Sequence, residues 1–582
     1  MPSNPRGGTF TICNMARRPS LIDRLVAKAA SAHARSIYNR FQAATRQAAS
    51  VQEQALLAKI RRNADSDFGR EHGFDRIASA ADFRKRMPLS RYEDVRPYVH
   101  RVMAGDTRAL FGGRQRVIMF ALTSGSTAEP KHIPITSHFL EEYRRGWNAF
   151  GIKVYLDHPE ALLRNILQVT SRMDESCTSA GIPCGAISGL MSATQKRLVR
   201  KYYLNPLDTA HILDSTAKYY TIMRLAVPND VAFMITASPA TQLRLARVAN
   251  AHHARLIRDV HDGTLAADLP IPDFVRERLR PRLRPDPQAA RRLEELVATH
   301  GRLLPKHYWN LSVVANWTGG TMGLHLDSFE EYFGAVPVRD IGLLATEGRV
   351  SIPIEDGTPA GILDVCSNYF EFIPQDRIDE ACPPTFGCHE LEVGQDYFIV
   401  LTTSAGLYRY DLRDLVRVVG YVNEAPVIEF LNKGAHISSL TGEKLTEHQV
   451  IEAMGEVGRS HGSAIVNFVL APRWDQTPYY VLHVERSDLA QTDGHLAHAL
   501  DLALQQVNIE YASKRQSDRL GPVRTNVLPS GYLSSRDERE AVRYRPANEQ
   551  YKHRYLYTQP DHDGELLSIG KLVGEAKNPE PQ

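Results

Sequence analysis

The sequence predicts an α/β protein with a smaller α+β unit at its C-terminal end. Three observations carry this. Apolar runs of strand length, VIMFAL over 117–122, VAFMIT over 231–236 and YFIVLT over 397–402, alternate with long helix-forming stretches, the pattern of helices layered on sheets. Beyond Asn432-Lys433-Gly434 the order becomes strand, strand, helix, which suits a separate small domain. At 582 residues the chain exceeds what one hydrophobic core organises.

Taken in order, residues 21–63 are rich in Ala, Arg, Gln and Leu, hold no Pro or Gly, and predict a helix. Met87-Pro88-Leu89-Ser90 interrupts, with Ser90 expected to cap a short helix. The strand over 117–122 leads into a hydroxyl-rich turn, and a helix follows over 136–151 with Thr136 or Ser137 as its cap. Asp286, Pro287 and Gly301 punctuate a helix as cap, first turn and stop. LSVVA over 311–315 and IGLLA over 341–345 predict buried strands, and 406–410 with 415–421 a hairpin. Strands over 464–470 and 479–484 and a helix over 494–511 complete the C-terminal unit, and 575–582 predict disorder.

A net charge of +3 on this length gives no case for nucleic-acid binding. No apolar run approaches the ~20 residues of a membrane span, so no membrane partner is expected. The start carries Arg6, Arg17 and Arg18 with no acid before Asp23 and no signal-peptide core. It predicts a frayed basic tail, with an organelle transit segment as the alternative. Six cysteines, Cys13, Cys177, Cys184, Cys366, Cys382 and Cys388, form no C-x-x-C pair, and Cys382…Cys388-His389 matches no standard zinc spacing. This usage predicts a reducing, cytoplasmic location and buried structural thiols.

The most informative stretch is Leu122-Thr123-Ser124-Gly125-Ser126-Thr127-Ala128-Glu129-Pro130-Lys131. Backbone N–H groups near a glycine approach an anion closely, hydroxyls add donors, and Lys131 supplies charge to phosphate oxygens. The order is not that of an NTPase P-loop. Leu344-Ala345-Thr346-Glu347-Gly348 places a hydroxyl beside a carboxylate at a predicted strand end, a pattern for phosphate and Mg²⁺. Gly406-Leu407-Tyr408-Arg409-Tyr410-Asp411-Leu412-Arg413-Asp414 offers carboxylates near an aromatic pair, suited to ribose hydroxyls, and Glu549-Gln550-Tyr551-Lys552 offers a late lysine. Singly these read equally as a polar turn, a helix cap, a salt-bridged hairpin and a solvated basic face.

Together and in this order they resemble the Gretchen Hagen 3 family of acyl acid-amido synthetases, in a bacterial-type form. These are relatives of acyl-CoA synthetases and luciferases in the adenylate-forming superfamily. The likeness includes Val99-His100…Gly105-Asp106-Thr107, Ala180-Gly181-Ile182-Pro183 and Trp309…Trp317-Thr318-Gly319-Gly320. It implies a large adenylate-forming domain over 1–431 and a mobile lid over 432–582, hinged near 431–434. It implies a monomer that uses ATP and Mg²⁺ to join a small carboxylic acid to an amine, expected to be an amino acid. By the same resemblance Thr123, Ser124, Gly125, Ser126, Thr127 and Lys131 hold phosphate, Ala345 and Thr346 border the nucleotide, and Glu347 meets Mg²⁺. Asp414 binds ribose, and Lys552 reaches the phosphate during adenylation.

The chain departs from the family pattern at Asp411 and Arg413, and LLATE carries no aromatic residue beside the adenine. An acyl-CoA ligase is the nearest alternative, because Gly442-Glu443-Lys444 and Gly570-Lys571 resemble segments of those enzymes. Lys571 then competes with Lys552, which is preferred because Gln550-Tyr551 precedes it and Lys571 falls in a predicted tail. A non-catalytic nucleotide-binding protein of the same fold is the other alternative. Thr318-Gly319-Gly320 is a candidate lining of the acyl pocket, Trp309 and Trp317 are expected in the core, and His132 at the surface.

Overall fold

A computed structural model describes residues 35–573, apart from 114, 124–130, 435–436, 442, 444, 463–464, 476, 490–494, 517–518 and 545–552. Four parallel strands, Asn165–Gln168, Val231–Ile235, Val313–Asn316 and Val338–Asp340, lie side by side in chain order. Parallel neighbours need crossovers, and helices such as Ser215–Ala226 and Pro239–Ala251 provide them. Their apolar faces form one core with the sheet, centred on residues such as Ile222, Leu245 and Val314. A second sheet runs His132–Thr136, Val117–Leu122, Pro183–Gly185, Ser176–Cys177. A third is antiparallel: Ser351–Ile352, Gly361–Leu363, Ala425–Lys433, Tyr410–Val422, Asp396–Thr402, Tyr369–Pro374. These two sheets share a core.

Local chemistry explains several boundaries. Val117–Leu122 is buried on both faces except at Ile118, as its unbroken apolar run requires. Thr136 caps the helix Ser137–Asp157 by accepting from the Phe139 N–H at 3.1 Å. Asp286 accepts from Ala289 N–H at 2.9 Å, and Gly301 ends that helix at φ 69°. The strand His132–Thr136 was not legible because Pro134 argues against a strand; it is tolerated because this strand lies at the sheet edge.

The structure corrects other expectations. The described part of 21–63 is not one helix: it runs helical over 35–44, tightens at Thr45–Gln47 and resumes as Ala48–Arg62. Thr45 is buried, and its Oγ1 donates to the Gln42 carbonyl at 2.8 Å and accepts from Asn423 Nδ2 at 2.7 Å, contacts that fix the break. Ser90 caps nothing. Its Oγ donates to the Tyr408 carbonyl at 2.7 Å, while Asp94 closes the start of Tyr92–Met103 by accepting from Arg91 N–H at 2.7 Å. The run over 341–345 is not a strand. The parallel strand ends at Asp340, and Leu344–Ala345 pairs with Gly348–Arg349 in a tight hairpin. Residues 406–421 form no hairpin either: Tyr410–Val422 is one bulged strand that turns back at Asn423 onto Ala425–Lys433.

In the C-terminal part, Phe468–Arg473, Tyr479–Glu485, Arg524–Leu528 and Lys571–Val573 form one sheet. The first begins later than expected, and the helix over 494–511 is two helices, Leu496–Val507 and Ile509–Gln516. Asn508 splits them because its Oδ1 accepts from the Tyr511 N–H at 2.8 Å, capping the second. Lys571 therefore opens a strand and is not in a tail. A core over residues 440–556 serves this part alone. Of the thiols, Cys184 and Cys388 are buried, Cys366 half-buried, and Cys177 and Cys382 exposed, so burial does not hold for all. Cys13 and residues 575–582 lie outside the described residues. Among the described residues no helix is long and apolar enough to cross a membrane.

Candidate active site

Ser124, Gly125, Ser126, Thr127 and Lys552 lie outside the described residues. The ends of the hydroxyl-rich segment are described. Thr123 N–H donates to the Lys131 carbonyl at 3.1 Å, so the segment is the connection of the hairpin formed by Val117–Leu122 and His132–Thr136. His132 is half-buried rather than at the surface, its ring edge-on to Phe120 at 6.3 Å.

Lys131 reaches away from its own hairpin to the strand Tyr410–Val422. Its Nζ donates to the Tyr410 hydroxyl at 3.3 Å and lies 5.7 Å from the Tyr92 ring and 5.9 Å from the Tyr410 ring. The ammonium therefore sits at the hydroxyl edge of Tyr410 and within reach of the Tyr92 ring. Burial raises the Tyr410 hydroxyl well above its usual value, and the nearby Glu347 carboxylate adds to this. Tyr410 thus stays a neutral hydrogen-bonding partner of Lys131. The Tyr92 hydroxyl accepts from the His132 N–H at 2.8 Å, which fixes the second ring. Sequence reasoning passed over Tyr92 and treated Tyr410 only as part of an aromatic pair. The signal available was the pattern Tyr408-Arg409-Tyr410 in one motif.

Glu347 occupies the two-residue turn of the hairpin Leu344–Ala345 and Gly348–Arg349, buried, with Ala345 and Thr346 half-buried beside it. The hairpin is tied to the end of the parallel sheet. Asp340 accepts from Thr318 N–H at 2.6 Å, from Thr318 Oγ1 at 2.8 Å and from Gly342 N–H at 2.6 Å. Trp317 Nε1 donates to the Gly342 carbonyl at 2.9 Å. Burial pushes the Asp340 carboxyl up to about 6, against the pull of those hydrogen bonds. Thr318 and Gly319 therefore lie at the carboxyl end of the parallel strands, where open α/β sheets bind ligands. Trp309 is a core residue as expected, while Trp317 is half-buried.

Asp414 is buried and stands opposite Lys433 on the neighbouring strand. Between Asp411 and Leu415 the strand bulges against Asp396–Thr402, with Arg413 at φ 56°. Bulges of this kind re-aim a side chain. The unusual pair Asp411 and Arg413 satisfy each other: Arg413 N–H donates to Asp411 Oδ1 at 3.0 Å and its Nε lies 2.8 Å from Oδ2. The strand is pinned upstream by Arg409, whose guanidinium meets Glu371 at 3.0 and 3.1 Å and the Met87 carbonyl at 2.6 Å.

Among the described residues no group of three or more His, Cys, Asp or Glu side chains is set for a metal. An open depression of 590 Å³ lined by Leu213, Asp214, Ile271 and Arg276 shares no residue with this constellation.

Comparison with known families gives a direct result. A model of the GH3 family N-terminal domain matches residues 37–338, one of its central domain 361–433, and one of its C-terminal domain 448–561. The chain belongs to the GH3 family. Among relatives of this GH3 protein, a jasmonoyl-L-amino acid synthetase of Nicotiana attenuata is 22% identical over 518 residues, 85% of this chain and 89% of that one. A jasmonoyl-L-amino acid synthetase of Oryza sativa subsp. japonica is 25% identical over 533 residues, 85% and 90% of the two chains. An indole-3-acetic acid-amido synthetase of Arabidopsis thaliana is 23% identical over 510 residues, 82% and 93% of the two. The fold matches a solved GH3.15 acyl acid amido synthetase with a TM-score of 0.78 at 19% identity, covering 92% of this chain and 96% of that one. In complex with 2,4-DB that synthetase matches with a TM-score of 0.81 at 18% identity, over 94% and 97%.

Proposed function

We propose that this GH3 protein is an AMP-forming acyl acid-amido synthetase. A carboxylate oxygen attacks the α-phosphorus of ATP, the bond to the bridging oxygen breaks, and pyrophosphate leaves with that electron pair. An amine nitrogen then attacks the acyl carbonyl, AMP leaves, and the nitrogen loses a proton. The observation that carries this reading is that Lys131 bonds Tyr410 from a separate segment, with Glu347, from a third, close enough to act on the Tyr410 hydroxyl. A cation with a carboxylate in its neighbourhood suits a triphosphate with its counter-cation.

In this reading Lys131 and the backbone and hydroxyls of 123–127 stabilise charge developing on the phosphates. Asp414 accepts from ribose hydroxyls, with Ala345 and Thr346 bordering the nucleotide. Among the described residues Glu347 stands in no group of three or more possible metal ligands, and a single carboxylate fits Mg²⁺, which takes one or two and completes its shell with phosphates and water. When bound there, Mg²⁺ supplies charge neutralisation at the phosphates. We assign the lid to 432–582 and its hinge to 431–434, because the antiparallel sheet ends at Lys433 and the separate core begins at Leu440. Lys552 is the adenylation lysine delivered by that lid. All the residues invoked belong to one chain, and a monomer is the proposed functional unit. Relatives named as jasmonoyl-L-amino acid synthetases and as an indole-3-acetic acid-amido synthetase support an organic acid and an amino acid as substrates.

The test is a panel of carboxylic acids with ATP, first alone for pyrophosphate release, then with amino acids or CoA for product mass. Acyl-amino acids and AMP are expected. Acyl-CoA products would replace the reading with that of an acyl-CoA ligase, and nucleotide binding without pyrophosphate release with that of a binding protein.

A further inference from the structure

Directly beyond Glu347 lies a cation that the proposed chemistry does not use. Arg349 is fully buried, and the carboxylate of Asp364 lies near it beside Gly146. Desolvating a guanidinium costs several kcal/mol unless strong contacts offset it, so its placement calls for an explanation. Its Nη2 donates to the Ile341 carbonyl at 2.8 Å and its Nε to the Ser351 carbonyl at 3.1 Å. Those two carbonyls lie on the entry to and the exit from the segment whose tip is Thr346-Glu347. One planar fork therefore ties the two legs together.

The fork is itself held flat. The guanidinium carbon lies 4.9 Å from the Trp147 ring and 5.5 Å from the Phe150 ring, both on the helix Ser137–Asp157. That helix passes so close at Gly146 that a Cβ there would collide with Arg349 Cδ and Asp364 Oδ2. Asp364 is oriented by Ser367, whose Oγ donates to Oδ2 at 2.7 Å. Asn368 Nδ2 donates to the Arg349 carbonyl at 3.0 Å.

We propose that Arg349 is a positioning residue: it sets the height and angle of the Glu347 turn by bridging Ile341 and Ser351 across the helix that carries Gly146, Trp147 and Phe150. This rests on the reading of Glu347 as the group that meets the nucleotide's counter-cation. A lysine keeps the charge but not the fork, since its ammonium is a point donor. The turn then tilts while the core stays filled.

The experiment is a cycle of Arg349→Lys, Glu347→Gln and the double variant, read as single-turnover adenylation at equal concentrations of folded protein and as the Mg²⁺ concentration for half-maximal rate. Arg349→Lys is expected to slow adenylation about 10- to 100-fold, the range for a shift of up to ~1 Å. It should raise the Mg²⁺ requirement and leave KM for the acyl acid in place. In the Glu347→Gln background the lysine should cost nothing further, because residues acting as one unit are not additive. Multiplicative losses in the double variant, or a wild-type rate in Arg349→Lys, overturn the inference and leave the reading of Glu347 standing. A wild-type rate and Mg²⁺ titration in Glu347→Gln instead remove that reading, and the positioning role with it. If thermal melts show Arg349→Lys unfolded, Trp147→Leu enters the same cycle with a smaller loss expected. A wild-type rate there overturns the inference as well.

Discussion

The two carboxylates assigned to the nucleotide rest on supports of different kinds. Asp414 lies in a bulge whose distortion is held by its nearest neighbours in sequence: Arg413 bonds Asp411 through backbone and side chain. The Glu347 turn is held from beneath by groups remote in the chain, with Trp147, Phe150, Asp364 and Asn368 all fixing Arg349. A local support travels with its motif, whereas a remote one exists only once the helix and both sheets have assembled. Damage to the first should be confined, and damage to the second should reach whatever else the shared core holds.

The largest expected effect probes the buried ion pair that supports the Asp414 strand from a distance. Arg409 and Glu371 are both buried and 3.0 Å apart. Arg409→Met leaves a buried carboxylate without its bidentate partner, and loss of about 3–5 kcal/mol is expected on the scale of broken buried pairs. Urea unfolding reads it. A loss near ~1 kcal/mol would mean that the bulge is anchored locally throughout, which sharpens the contrast with the Glu347 turn.

Lys131→Ala comes next. It removes the cation bonded to the Tyr410 hydroxyl, and pyrophosphate release should fall about 10²-fold or more, as for loss of a preorganised charge donor. Melting temperature should barely change, since the ammonium is half-buried and held by rings. A rate within a few fold of wild type would detach this lysine from the site.

Asp414→Ala should act on nucleotide binding rather than on the chemical step. Loss of a charged hydrogen bond is worth about 1.5–3 kcal/mol, and a raised KM for ATP with an unaltered response to Mg²⁺ is the expected signature. Were the Mg²⁺ response to shift instead, the two carboxylates would share one role and the comparison would collapse.

The smallest effect is one of pH on the strand end that feeds the Glu347 hairpin. Burial places the Asp340 carboxyl at about 6 in the folded protein, above the ~3.9 of an unfolded chain. The folded state therefore holds this proton more tightly. Its stabilising contribution is complete below ~pH 4 and is lost as pH rises through about 6. Thermal melts between those values should show wild type falling relative to Asp340→Asn. Parallel curves would show that the bonds from Thr318 and Gly342 keep the carboxylate ionised throughout.

Much of the chain was legible before folding. Val117–Leu122, Asp396–Thr402 and the helix capped by Asp286 and Gly301 declare themselves through apolar runs and terminal chemistry, which act over a few residues. The ordered motifs carried the family, which the domain matches bear out. The misreadings share a cause. The run over 341–345 has strand composition, yet Asp340 ends the strand by turning its carboxylate onto Thr318 and Gly342. Residues 406–421 read as a hairpin because Arg413 interrupts the apolar pattern, but the left-handed residue makes a bulge within one strand.

The sequence by itself determined the α/β class and many of the caps and turns, and its ordered motifs supplied the residues proposed to face phosphate, because propensity and charge belong to each residue. Tertiary structure alone decided that Lys131 rests between Tyr92 and Tyr410, and that a buried Arg349 braces the Glu347 turn against Trp147. Those contacts join segments far apart in the chain. Their energy is realised only where burial strips away water and makes an exact partner necessary.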